Sequence, residues 1–272
     1  MISVLNDVSS LTAENALSST QTNLQGTLTE LSTGLRLNSG SQDPAGISIA
    51  DGLGANISAL TQSSQNASNG VGLLQTADGA LSQVTNLLNQ AVTIATEAAN
   101  GGLTTDQATA ANSEFQSILS EINQIGSTTN FNGVAVFSAT AQTTFTSDGT
   151  SAGATTTSTT TGALSSTTLS LNADALTSTT AAATALTAIT AAISTIAATR
   201  GTIGASVIQL TADSNVENTE VTNLTSAQNN VQNADISSTV ANLTQYNVLE
   251  QTGFAALSQS NSAQQNVLKL LQ

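Results

Sequence analysis

The 272-residue chain sets three Lys and Arg against seventeen Asp and Glu, a formal net charge of −14, and contains no Cys and no His. So acidic a chain, with no basic patch, excludes nucleic acid as a partner and argues against an anionic membrane surface. The missing Cys and His exclude a disulfide framework and the common zinc sites.

Near the start, Leu24, Leu28, Leu31 and Leu35 recur at steps of four and three. Spacing near 3.5 residues predicts a helix packed along a seam, and one short helix of this kind is marginal alone. Asp43-Pro44 is expected to end it, because the residue before proline is pushed out of the helical region. Gly40, Gly46, Gly52 and Gly54 are read as extending that break. A longer stripe follows. Ile57, Leu60, Ala67, Val71, Leu74, Leu81, Leu88, Val92, Ala95 and Ala99 fill ten of thirteen three/four-spaced positions, interrupted by Ser64, Asp78 and Thr85. The register predicts a helix of about 43 residues, roughly 65 Å long. Its interruptions have two readings: polar positions that set packing register, or residues turned out to solvent.

Gly101-Gly102 stops this helix, and Thr104-Thr105-Asp106 can cap the next. Its stripe is Ala108, Ala111, Phe115, Ile118, Ile122 and Ile125, followed by a turn from Gly126 to Asn130. Phe131-Asn132-Gly133-Val134 then reads as a hairpin, since Asn-Gly suits a tight turn between strands. Residues 138–178 are dominated by Ser, Thr, Ala and Gly, which predicts short exposed strands. Helical spacing returns at Ala182, Leu186, Ile189, Ile193, Ile196, Arg200, Ile203, Val207 and Leu210, with Ser214 and Glu217 beyond. A last stripe holds Val240, Leu243, Leu257, Val267, Leu268, Leu270 and Leu271 among polar residues. The fold class is therefore mainly α: a long-helix bundle with paired terminal coiled-coil helices and a small insert containing a β-hairpin.

Arg36 beside the first break is either a solvated cation or the donor to a carboxylate or to helix-end carbonyls. Arg200 falls on an apolar stripe, which favours a bridge or an interface, and Lys269 complements a helix C-terminus. Chemistry is poorly supplied. The usual general base and thiol nucleophile are missing, the carboxylates are scattered, and no G-x-x-x-x-G-K loop occurs. No enzyme, cofactor or metal is expected. Met1–Asp7 has neither a basic stretch nor an unbroken apolar run, and no window is expected to approach the roughly 18 apolar residues of a membrane span.

Several segments resemble the bacterial flagellin family. Leu31-Ser32-Thr33-Gly34-Leu35-Arg36-Leu37-Asn38-Ser39 is similar to its L-S-[ST]-G-L-R-[IL]-N-S, and Asp43, Ala45-Gly46 and Ile49-Ala50 match the continuation. Phe131-Asn132-Gly133-Val134 resembles F-N-G-V, and Arg200-Gly201-Thr202-Ile203-Gly204-Ala205 resembles R-x-x-[LI]-G-A. Asn223-Leu224-Thr225-Ser226-Ala227, Ala234-Asp235 and Gln265 to Leu271 match the family's closing motifs. The likeness covers roughly 1–137 and 182–272, and it looks most like short alphaproteobacterial flagellins. One departure is Asn89 to Ile94, which lacks the arginines and glutamate of the family's Q-R-V-R-E-L.

The resemblance implies an extracellular structural subunit that assembles head-to-tail into the helical flagellar filament. The alternative is a hook–filament junction or cap protein sharing the terminal coiled coil. It also implies a division into 1–43 and 232–272 as the two parts of an inner coiled-coil domain, 44–137 and 179–231 as a helical core domain, and 138–178 as a Ser/Thr-rich surface insert. Implied partners are further copies of the chain, related flagellins, the flagellar type III exporter with an export chaperone, and hook-junction and cap proteins. Candidate assembly residues are Leu24, Leu28, Leu31, Leu35, Arg36, Arg200, Val240, Leu243, Leu257, Val267, Leu268 and Leu271. Candidate O-glycosylation positions are Thr155, Thr156, Thr157, Ser158, Thr159, Thr160, Thr161, Ser165 and Ser166.

Overall fold

A computed structural model describes residues 8–147 and 154–270. Among them, five helices and four short strands follow in the order α1 (Val8–Thr33), α2 (Pro44–Ala99), α3 (Thr105–Thr128), β1 (Asn130–Phe131), β2 (Val134–Ala135), β3 (Gln142–Ser147), β4 (Ala154–Thr159), α4 (Thr179–Gln232) and α5 (Ile236–Leu270). The predicted mainly α class is the observed one. The chain divides into two compact units, Met1–Ala55 with Leu224–Gln272, and Asn56–Asn223.

Pro44 starts a helix where the sequence reading had it only end one. Asp43 stays outside the helical region, as its place before proline requires, and its Oδ1 accepts the Gly46 amide at 2.9 Å as an N-cap. Proline suits the first helical position because its missing N–H would have had no partner there. Gly46, Gly52 and Gly54 therefore lie inside α2, which is 56 residues long, roughly 84 Å at 1.5 Å per residue. The true break is nearer the start: α1 ends at Thr33, and Gly34 turns the chain with φ +73°.

In the second unit, α2 buries two lines of residues, each repeating every seven. Leu60, Ala67, Leu74, Leu81, Leu88 and Ala95 form the predicted line. The other is Ser63, Ala77, Val84, Ala91 and Ala98, with half-buried Gly70 in its gap, whereas predicted Ile57, Val71 and Val92 are only half-buried. Small residues fill the unexpected line because they let a neighbouring element approach closely. A Cβ at Gly70 would lie 2.6 Å from Thr144 Oγ1 and 3.0 Å from Leu210 Cδ1. On α4 the buried line is Ala182, Ile189, Ile196, Ile203, Leu210 and Glu217, again every seven residues. An 18-residue window of α4 has mean hydropathy 1.7, long and apolar enough by length and composition to cross a membrane. That corrects the expectation that no window comes near a span. The same helix packs its buried line into the core, as a bundle helix does.

Thr104 is the N-cap of α3, as expected, and Gln107 completes a capping box with it; Phe115, Ile118, Leu119 and Ile122 are buried. Helix α3 runs on to Thr128, so Gly126 is helical rather than the start of the turn. A Cβ there would lie 1.9 Å from the Leu164 carbonyl oxygen. Asn132 and Gly133 have φ of 52° and 79°, the left-handed pair required by a type I′ turn, and they join β1 to antiparallel β2. Strands β3 and β4 pair antiparallel, with Phe145 opposite Thr156.

Residues 138–178 are not wholly a surface insert. Leu164, Leu169, Leu171 and Leu176 belong to the main hydrophobic core, and Thr161 donates to the Val136 carbonyl at 2.6 Å. Four leucines in irregular chain have no period to announce them, but their burial drives the segment onto α3. The Asn112 and Asn123 side chains hold it by accepting the Leu176 and Ser166 amides.

Candidate assembly surface

In the first unit, α1 and α5 run antiparallel. Ser10 donates to Asn261, Leu17 lies against Gly253, and Leu35 forms a bridge with Asn233. The side of α1 turned to α5 carries Ala13, Leu17, Leu24, Thr27 and Leu31, and that of α5 carries Leu243, Tyr246, Glu250, Gly253 and Leu257. Leu24, Leu31, Leu243 and Leu257 are thus half-buried on the facing sides of one chain's helix pair. Leu28 is not: it is 47% exposed, because Thr27 takes the inward position. Leu35 lies past the helix end, and Val240 is 44% exposed. The side chains of Val267 and Leu268, and all of Leu271, lie outside the described residues.

Arg36 realises the helix-end option. Its Nη2 donates to the Val231 carbonyl at 2.9 Å, and its amide donates to the Gln232 carbonyl at 2.7 Å. These are the last carbonyls of α4, where the helix dipole and unpaired oxygens favour a cation. The next helix starts at once, with Asp235 Oδ1 accepting the Ser237 amide at 2.9 Å.

Apolar side chains that nothing covers lie on the outer faces of the same pair: Val8, Leu11, Val248, Leu249 and Phe254, besides Leu28 and Val240. The sequence stripes missed them because they sit off the seam. Their common signal is an apolar residue on a helix whose seam is already filled.

The polar interruptions of the long stripes find one another in the second unit. Arg200 Nε and Nη2 donate to the two carboxylate oxygens of Asp78 at 2.7 and 3.2 Å. This guanidinium holds the Asp78 carboxyl below the usual range, against a smaller opposing effect of burial. Ser64 Oγ is 2.8 Å from Ser214 Oγ, and Ser63 donates to Glu217. Thr85 is satisfied locally, donating to the Leu81 carbonyl. Ser64 is therefore buried in a cross-helix pair, whereas Asp78 pairs across helices while its side chain stays partly in solvent.

Among the sugar-acceptor candidates, Thr156, Ser158 and Thr160 are exposed, while Thr157 and Ser165 are half-buried. Thr159, Thr161 and Ser166 are buried, which removes them as acceptors in the folded chain. The Thr155 side chain lies outside the described ones.

The model of the bacterial flagellin N-terminal helical region matches residues 4–142, and that of the C-terminal helical region matches 186–271. The chain belongs to the bacterial flagellin family. It is 42% identical to a flagellin of Serratia marcescens over 139 residues, which are 51% of this chain and 40% of that one. Flagellin 1 of Proteus mirabilis is 39% identical over 47% of this chain and 35% of its own. Phase 1 flagellin of Salmonella naestved is 38% identical over 51% and 28%. The matched part of the chain thus spans well under half the length of these curated relatives. The crystal structure of Bacillus cereus flagellin aligns with 56% of this chain and 88% of its own, at 27% identity and a TM-score of 0.49.

Proposed function

We propose that this flagellin-family chain is the structural subunit of an extracellular flagellar filament used for swimming, polymerising head-to-tail. The observation that carries the reading is the uncovered apolar face of the α1–α5 pair. A helix pair that fills its own seam and still exposes Leu11, Leu28, Val248 and Phe254 has surface left for further copies. Repeated head-to-tail contact that does not close generates an open helical polymer. On this reading the inner domain comprises about 1–43 and 232–272 and the core domain 44–137 and 179–231. Of 138–178, the β3–β4 hairpin lies outermost, while the stretch carrying Leu164, Leu169, Leu171 and Leu176 belongs with the core. Arg200 is then a brace within the subunit, and Arg36 fixes the passage between α4 and α5.

Export through the flagellar type III exporter, escort by a chaperone, and end contacts with hook-junction and cap proteins belong to the same proposal. Co-assembly with related flagellins belongs to it as well. Purified chain seeded with filament fragments should grow filaments visible by electron microscopy. Protein that stays monomeric under seeding, at concentrations where a seed-matched flagellin polymerises, would rule the reading out.

A further inference from the structure

The α4 line that buries Ala182, Ile189, Ile196, Ile203 and Leu210 reaches, one further step of seven, Glu217, which is 5% exposed. A carboxylate at a core position of a helical seam calls for a reason beyond packing. Ser63 Oγ donates to its Oε1, and Ser63 Oγ in turn accepts the Ser147 backbone amide at 2.7 Å. Ser147 is the last residue of β3, so this relay runs from the hairpin strand through α2 to α4. The strand has further holds on α2: Asn66 Nδ2 donates to the Phe145 carbonyl, and Thr144 sits against Gly70. The other oxygen of Glu217, Oε2, is buried and has no partner among the described residues.

We propose that Ser147, Ser63 and Glu217 form a proton-operated latch that fastens the β3–β4 hairpin to the α2–α4 seam. All of its groups lie in one chain, so it operates whether or not the chain polymerises. A neutral Glu217 acid leaves one unpaired hydroxyl, whereas an ionised one leaves a buried charge with a single donor. The second is much the costlier, and it is relieved by letting water in. The entry is adjacent: a cleft of about 270 Å³ lined by Thr146, Ser147, Thr156 and Thr157 of the hairpin and by Gln209, Asp213, Val216, Glu217 and Glu220 of α4. Opening it means lifting the hairpin.

Every charged group facing Glu217 pushes in one direction. Burial raises its carboxyl above the ordinary 4.5, the Ser63 hydrogen bond opposes this more weakly, and the Asp213 and Glu220 charges raise it further. From α2 come only the hydroxyls of Ser63 and Ser64, and from β3 and β4 only hydroxyls and amides; no cation lines the cleft among the described residues. Asp148 lies outside them. A folded value above the unfolded one means the latch is fully closed below about 4.5 and loosens as pH rises through the folded value.

The test is amide hydrogen exchange of the full chain across about pH 4 to 8, corrected for intrinsic exchange. In the unaltered protein, opening of residues 142–147 should rise about tenfold per pH unit above 4.5 and level off above the folded value. Glu217→Gln should keep the strand protected throughout. Ser63→Ala should weaken protection even at low pH. Carboxyl carbon NMR of the unaltered chain needs no variant and should show Glu217 titrating above the ordinary 4.5. Flat protection, ordinary titration of Glu217, or protection governed by added calcium or chelator instead of pH would each overturn the proposal.

Discussion

Arg200 reaches Asp78 through two nitrogens, yet the two side chains keep 37% and 41% of their surface in water. Exposed pairs of this kind contribute about 0.2–1 kcal/mol, because solvent screens them and ordering two long side chains costs entropy. Arg200→Gln should therefore lower stability by less than about 1 kcal/mol at neutral pH, measured by urea unfolding. The carboxyl is depressed in the folded chain, so its contribution is present above 3.8 and lost as pH falls through the lower folded value. The difference between variant and parent should vanish in acid. Gly126 is the opposite case, with no charge and no freedom. A methyl there meets the Leu164 carbonyl oxygen at 1.9 Å, and a backbone atom cannot step aside like a side-chain tip. Gly126→Ala should cost about 1–3 kcal/mol in thermal unfolding and open residues 160–178 to protease.

Helices α1 and α5 make sense only as a pair, and even so α1 buries just Leu17 and Thr27. Such a thin seam predicts that limited proteolysis of the monomer trims both ends before it reaches the second unit, and that polymerisation protects them. Two substitutions separate the inner from the outer face. Leu17→Asp places a charge against Gly253 and should unpair α1 from α5, seen as lost helical circular dichroism. Leu28→Asp changes an exposed position and should leave that signal intact while blocking filament growth. How much of this was legible in the sequence depended on period. The stripes of α2, α3 and α4 and the Thr104 cap were readable because one face of a helix repeats. Thr27 and Ser63 were missed because a small polar residue on a seam carries no hydrophobic signal. The meetings of Asp78 with Arg200 and of Ser63 with Glu217 were hidden because each needs the register between two helices far apart in the chain. Leu171 and Leu176 were hidden because irregular chain has no period. Leu171→Ala should cost about 2–5 kcal/mol, a loss that a free surface insert would not show.

A polymer of chains with net charge −14 and three cations each must bring like charges together. Self-repulsion of this kind is screened by salt, with a Debye length falling from roughly 30 Å at 0.01 M to about 10 Å at 0.1 M. Seeded growth followed by light scattering should accelerate severalfold over that range; a rate indifferent to salt would mean the carboxylates stay far apart in the polymer. The placement of one residue makes the two units separately observable. The chain has a single Tyr and no Trp, and Tyr246 sits on the side of α5 that meets α1. Its ring is a built-in optical reporter for the terminal pair alone. Tyrosine emission should respond when the ends part or associate, while far-ultraviolet dichroism follows every helix at once. Loss of the first signal ahead of the second would time the release of the ends without a dye, tag or added cysteine.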